Sequence, residues 1–116
     1  MNSSIIEQGE LVVADIMFAE QDEKKRRLAL IISNTAYNKA SNDVVVLKVT
    51  SKAKSLQYTV NLTNESTIKK ALRKDSTIRV DFPITISKQK ILARPDKVNM
   101  EKLRETKERL KNFYEL

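Results

Sequence analysis

The sequence predicts a mainly β domain with one α-helix: a small, largely antiparallel barrel closed by a C-terminal helix. Three observations carry that expectation. Five or six short stretches are rich in β-branched residues or alternate apolar with polar residues. A single glycine punctuates the chain, and Asn, Asp and Ser supply the turn chemistry instead. From Asn99 onward the apolar period changes from that of a strand to that of a helix.

Gly9 ends a short polar start, and residues 11–17 (LVVADIM) read as the first strand. Residues 20–27 (EQDEKKRR) are wholly charged or polar and are expected to form a loop. Residues 28–32 (LALII) make a short apolar run suited to a strand buried on both faces. Asn34, Asn38 and the Ser41, Asn42, Asp43 cluster read as turns before a third strand at residues 44–49 (VVVLKV). Residues 57–62 (QYTVNL) alternate as a half-buried strand does, and residues 67–72 are expected to form a helical turn or short helix. Residues 77–82 (TIRVDF) place Ile78, Val80 and Phe82 on one face, and Pro83, lacking an N–H, is expected to end that strand. Asn99 is a candidate N-cap for a helix starting at Met100. Met100, Leu103, Leu110, Phe113 and Tyr114 would form its apolar stripe, with Glu105 and Arg109 as an i,i+4 pair on the polar side.

Length and composition narrow the function. The 116 residues have room for a single domain, 1–116, with one core. A 41% hydrophobic and 32% charged composition of mixed sign fits a globule and argues against disorder. No apolar run approaches the ~20 residues of a membrane span. The N-terminus lacks a basic start and a long apolar stretch, so a cytoplasmic location without membrane contact is expected. Without cysteine there is neither a disulfide nor a thiolate metal site. Without histidine the usual base near neutral pH and the commonest metal ligand are missing too. Catalysis would then use carboxylates, hydroxyls, lysine or arginine; zinc is close to excluded, and a carboxylate site for magnesium stays open but lacks an acidic cluster of suitable spacing, so neither a metal nor another cofactor is expected. Of the net charge of +7, most lies in residues 59–116, with 14 Lys and Arg against 8 Asp and Glu; residues 1–58 carry 8 against 7. Such a field attracts polyanions or an acidic protein, or serves only solubility.

Three groups of residues could carry chemistry. Strand alternation puts Arg79 and Asp81 on one face, roughly 6.5–7 Å apart along the chain. Such a pair can grip opposite sides of a phosphate, or form only a weak solvated ion pair. Lys24, Lys25, Arg26 and Arg27 are adjacent cations that repel one another unless an anion sits nearby; the alternative is a solvated loop. Thr50 and Ser51 leave two hydroxyls at a strand end, where they serve a site or a turn.

In this order the segments resemble the MazF/PemK toxin family. Gly9 to Asp15 match its opening Gly-acid-hydrophobic strand, and Arg27 to Asn34 its Arg-Pro-hydrophobic segment. Val44 to Ser51 match a strand ending in Thr-Ser, and Ser76 to Ile86 a Ser/Thr-hydrophobic-Arg-x-Asp segment running into Thr-Ile. The resemblance covers roughly residues 9–92 and implies an SH3-like β-barrel of the MazF/CcdB kind. It further implies a sequence-specific, metal-independent endoribonuclease of a type II toxin–antitoxin system. Single-stranded RNA would be cleaved by its own 2′-hydroxyl, leaving a cyclic phosphate and a free 5′-hydroxyl. By position, Arg27, Thr50, Arg79 and Asp81 are the catalytic set the resemblance implies. Lys24, Lys25, Arg26, Ser51 and Thr77 are the implied RNA contacts. Asp81 would be the base, Arg79 would stabilise the phosphorane and Arg27 would bind non-bridging oxygens, with Thr50 and Ser51 orienting the phosphate.

The chain departs from the family pattern at Leu28, where proline is usual, and in the 20–27 loop, which has neither glycine nor the histidine of some members. The implied partners are a second copy of the chain, RNA in a groove at the dimer interface, and an acidic antitoxin. Competing readings are a non-catalytic nucleic-acid-binding barrel, a gyrase-directed toxin of the same fold, and a structural protein that binds an acidic partner. The gyrase reading needs an apolar C-terminal tail, whereas residues 112–116 read as the last turn of a helix.

Overall fold

A computed structural model describes residues 5–17, 25–51 and 57–116, and these form six strands and two helices. The order is β1 (Glu10–Ile16), β2 (Lys25–Ile31), α1 (Thr35–Ala40), β3 (Asp43–Thr50), β4 (Thr59–Leu62), β5 (Ser76–Ser87), β6 (Ile91–Lys97) and α2 (Met100–Tyr114). Short 3₁₀ turns lie at Asn64–Ser66 and Lys88–Lys90. All strand pairs are antiparallel, and the sheet order is β4-β5-β3-β2-β1-β6. Beyond the edge strands the sheet nearly closes on itself. Ile68 N–H donates to Lys97 O at 2.8 Å, and Asn99 N–H donates to Ser66 O at 2.7 Å. These bonds tie the segment after β4 to the end of β6, which gives the expected barrel-like roll.

Alternation along the strands builds two apolar layers. Leu11, Leu30, Leu47, Val60, Leu62, Ile78 and Val80 face one way, and Leu103, Leu110 and Phe113 of α2 pack on them. Val12, Ala14, Ala29, Ile31, Val44 and Val46 face the other way and form a second cluster. β2 therefore buries residues on both faces, as its apolar run predicts. Gly9 sits at φ +96°, and a Cβ there would lie 3.4 Å from Leu103 Cδ2, so glycine fits both the turn and the approach of α2.

Several local expectations need correction. The charged segment at residues 20–27 is not all loop: β2 starts at Lys25, where Arg26 and Arg27 pair with Asp15 and Ala14 of β1. Charged heads can reach solvent while their backbone joins the ladder. The turn signals at residues 34–40 belong instead to α1. Asn34 caps it by accepting the Tyr37 N–H at 2.7 Å, and buried Asn38 donates to the Ile6 and Ser33 carbonyls at 3.0 Å each. Residues 67–72 form no helix. Thr67 bridges Val98, Lys70 is left-handed at φ 55°, and Asp96 accepts the Lys69 and Ala71 N–H groups.

Pro83 does not end its strand, because β5 runs on to Ser87. The register slips beside it, with Leu47 opposite Pro83 and Lys48 opposite Arg79, and a bulge tolerates the missing N–H. Phe82 falls in that bulge and does not join Ile78 and Val80 in their cluster. On α2, Asn99 caps as expected, accepting the Lys102 N–H at 2.8 Å. Met100 is nonetheless 74% exposed and Tyr114 51%, because the apolar stripe starts one turn later at Leu103. Glu105 pairs with Lys102, while Arg109 donates to the Gln57 and Thr59 carbonyls. No helix among the described residues is long and apolar enough to cross a membrane.

Candidate active site

The second apolar layer gives way to polar residues at one end of β2, β3 and β5. Along β3 the same face runs Val44, Val46, Lys48, Thr50, and along β2 it runs Ile31, Ala29, Arg27. The register sets Ala29 opposite Lys48, Lys48 opposite Arg79, and Thr50 opposite Thr77. Directly opposed residues share a face, so Arg27, Lys48, Thr50, Thr77 and Arg79 lie on one surface.

The bulge completes this surface. Between the Leu47–Pro83 and Lys48–Arg79 pairs, Val80, Asp81 and Phe82 have no partner on β3. Val80 N–H donates instead to Tyr58 O at 3.2 Å. Asp81 can therefore fold back on Arg79. Arg79 Nε donates to Asp81 Oδ1 at 2.9 Å and Nη2 to Oδ2 at 2.6 Å, a bidentate pair with side chains 26% and 29% exposed. Lys48 Nζ stands over the Phe82 ring, 4.8 Å from its centroid, and the Arg79 guanidinium carbon is 5.7 Å from the same centroid.

The pair fixes the charge state of both members. The Arg79 hydrogen bond holds the Asp81 carboxyl below its ordinary value, with the charges of Arg79 and Lys48 acting the same way against partial burial. The bond to Asp81 pushes the Arg79 guanidinium up in turn. At rest Asp81 is thus a firmly ionised carboxylate and a weak base.

The structure does not gather every residue singled out in the sequence. Arg26 is exposed, opposite Asp15, and alternation turns it to the face away from Arg27. Ser51 is exposed just beyond β3. Lys25 opens β2, and Lys24 lies outside the described residues. Lys48 and Phe82 are the additions. One signal for Lys48 was in the sequence, since it is the sole charge in residues 44–50. Phe82 carried none, because the bulge that redirects it leaves no mark in the alternation. Among the described residues no three Asp, Glu, His or Cys side chains gather where they could hold a metal ion.

A rolled six-stranded sheet with one closing helix defines the class, a small barrel-like domain, and one of its faces bears cations, hydroxyls and one paired carboxylate, groups whose chemistry suits an anion. Residues 7–114 match the PemK-like, MazF-like toxin family of type II toxin–antitoxin systems, and the chain belongs to that family. Solved structures share its fold. A MazE–MazF structure from Deinococcus radiodurans superposes with a TM-score of 0.77 at 22% identity, covering 97% of this chain and 98% of that one. The Mycobacterium tuberculosis toxin MazF-mt6 gives 0.76 at 17%, covering 92% and 97%. An endoribonuclease in complex with its cognate antitoxin, from a mycobacterial species, gives 0.75 at 17%, covering 96% of each chain. No curated protein sequence matches the chain.

Proposed function

We propose that this chain is the endoribonuclease toxin of a type II toxin–antitoxin system, cleaving single-stranded RNA at preferred sequences without a metal ion. The observation that carries the reading is the bidentate Arg79–Asp81 pair on the face shared by Arg27, Thr50 and Thr77. A scissile phosphate entering this face competes with Asp81 for the Arg79 fork. Asp81, released, takes the proton of the RNA 2′-hydroxyl. The O2′–P bond then forms as P–O5′ breaks, and the departing O5′ takes up a proton from water. The products are a 2′,3′-cyclic phosphate and a 5′-hydroxyl end. Arg79 and Arg27 stabilise the charge that develops on the non-bridging oxygens, and Thr50 orients the phosphate.

Two chains of this kind would pair to form an RNA groove, and an acidic antitoxin would occupy it. The endoribonuclease bound to its cognate antitoxin and the MazE–MazF complex, which share the fold, support that partner. With only six aromatic residues in the chain, base preference would rest mainly on hydrogen bonds.

The test is incubation of the pure protein with mixed-sequence single-stranded RNA in excess EDTA, beside Arg79→Ala and Asp81→Ala. Cleavage by wild type alone, with 5′-hydroxyl ends, is the expected result. Intact RNA with salt-sensitive binding would establish the non-catalytic barrel instead.

A further inference from the structure

We infer that residues 69–74 form a second phosphate-binding element, which guides the RNA strand beyond the scissile phosphate; the inference rests on the ribonuclease reading above. Lys69, Lys70, Arg73 and Lys74 are four exposed cations within six residues. Among the described residues none of them is held in an ion pair. Cations this close repel one another, and an unrestrained loop would spread them into solvent. Here the backbone is pinned instead. Asp96 accepts the Lys69 and Ala71 N–H groups at 2.8 and 2.9 Å. Asn64 accepts the Leu72 N–H at 2.8 Å and donates to Leu72 O at 3.2 Å, with Lys70 left-handed between these anchors at φ 55°. A fixed main chain leaves only side-chain freedom to be lost when an anion binds. Asp75 and the buried Asp96 offset two of the four charges, so the loop still presents a net +2.

Position says which anion. The loop runs straight into β5 at Ser76, whose Oγ donates to Lys74 O at 3.2 Å. Thr77 and Arg79 follow on the site face, so Lys74 is at most about 17 Å from Arg79 along the chain. β4 sets Thr59 opposite Arg79 and Asn61 opposite Thr77, which keeps the face polar from the site to the loop. A single strand that seats one phosphate at Arg79 and runs along β5 meets these cations a few nucleotides further on. Phosphates contacted there hold and orient the strand without taking part in bond breaking, so the loop acts on binding and the site acts on the chemical step.

Binding and cleavage of mixed-sequence single-stranded RNA, followed against salt, test this with wild type and two variants. The loop variant combines Lys69→Gln, Lys70→Gln, Arg73→Gln and Lys74→Gln. The control combines Arg104→Gln, Lys107→Gln and Lys111→Gln on α2, the helix that covers the other apolar layer. The loop variant should lower the slope of log binding constant against log salt by about 2, from three phosphate contacts at about 0.7 each. At 0.1 M salt that slope is about a hundredfold in affinity. The loss should fall on KM and not on kcat, and it should shrink as the RNA is trimmed toward the cleavage site. The α2 control should keep the wild-type slope. If the loop variant does not fold, Arg73→Gln with Lys74→Gln should lower the slope by about 1.4. A wild-type slope in the folded loop variant, or an equal fall in the α2 control, overturns the inference and leaves the ribonuclease standing. Unchanged RNA binding with lost binding of a polyglutamate peptide also overturns it, and makes the loop a surface for an acidic protein. A wild type that binds RNA but leaves it intact removes the ribonuclease reading, while the slope, read on binding, still decides the loop.

Discussion

Two arginine–carboxylate pairs of nearly identical geometry sit in different parts of this molecule. Arg79–Asp81 closes at 2.9 and 2.6 Å, and Arg94–Glu10 at 2.7 and 2.6 Å. Their settings differ in what they join. Arg79 and Asp81 are two residues apart on one strand, so their bond fixes little of the chain beyond itself. Arg94 and Glu10 are 84 residues apart; their bond spans β6 and β1, and Arg94 also donates to Ile5 O at 2.6 Å. Glu10, only 11% exposed, accepts the Glu7 N–H as well. A pair that can open without disturbing the fold suits chemistry, and a pair that staples distant segments suits architecture.

The sharpest way to break the comparison is to remove one arginine from each pair. Arg79→Ala should lower RNA cleavage about 10²–10⁴-fold, the combined range for a lost cation and an unsupported base. Its unfolding free energy should shift by less than about 1 kcal/mol, since a partly exposed ion pair between residues two apart on one strand contributes little. Arg94→Met should do the reverse. Glu10 would be left partly buried with a charge unmatched, costing about 1–3 kcal/mol in denaturant unfolding, while the folded fraction cleaves as wild type does. A variant of Arg79 that unfolds, or one of Arg94 that stays stable but inactive, would exchange the two assignments.

This contrast shows what the sequence could and could not disclose. Arg79 and Asp81 were legible because alternation over residues 77–82 puts both on one face, whatever the rest of the chain does. The strands were legible for the same local reason. Glu10, Arg94 and Asp96 were not, because their roles depend on β6 returning beside β1, a long-range pairing that no local pattern encodes. Asp96 shows the consequence: it accepts N–H groups from Lys69, Ala71 and Lys97 and so holds residues 67–72 out of a helix. Phe82 was missed because the bulge beside Pro83 re-aims it, and Lys48 because only the slipped register sets it opposite Arg79; a bulge appears only once the register is known.

Acid separates the pairs further. Burial raises the Glu10 carboxyl, but the Arg94 hydrogen bond and the Glu7 N–H outweigh it and leave it below its ordinary value. Burial likewise raises Asp96, and three backbone N–H groups reverse that. Both groups bind protons more readily unfolded, so their stabilisation is present above about pH 4 and is lost as pH falls through their folded values. Asp81 is lowered as well, by Arg79. The acid limb of kcat/KM in the free enzyme should therefore lie below the ordinary carboxylate range. Arg94→Met should flatten the acid loss of stability and leave the activity limb in place. Arg79→Lys should raise the activity limb and leave the Glu10 and Asp96 part of the stability profile unchanged, with only the small contribution of part-exposed Asp81 lost. An Arg94 substitution that moved the activity limb would mean the pairs are coupled.

The smallest expected effect comes from a third ion pair, Lys97–Glu7, which lies beside Arg94–Glu10 and also joins β6 to the N-terminal segment. Its side chains are 39% and 51% exposed, so water screens the attraction and competes for both partners. What Glu7 gives the fold is its backbone: the N–H that donates to Glu10 Oε2 at 2.7 Å survives any change of side chain. Glu7→Gln should accordingly change the unfolding free energy by no more than about 0.5 kcal/mol. A loss as large as that of Arg94→Met would show that charge along β6, and not the two-pronged geometry at Glu10, holds the N-terminal segment in place.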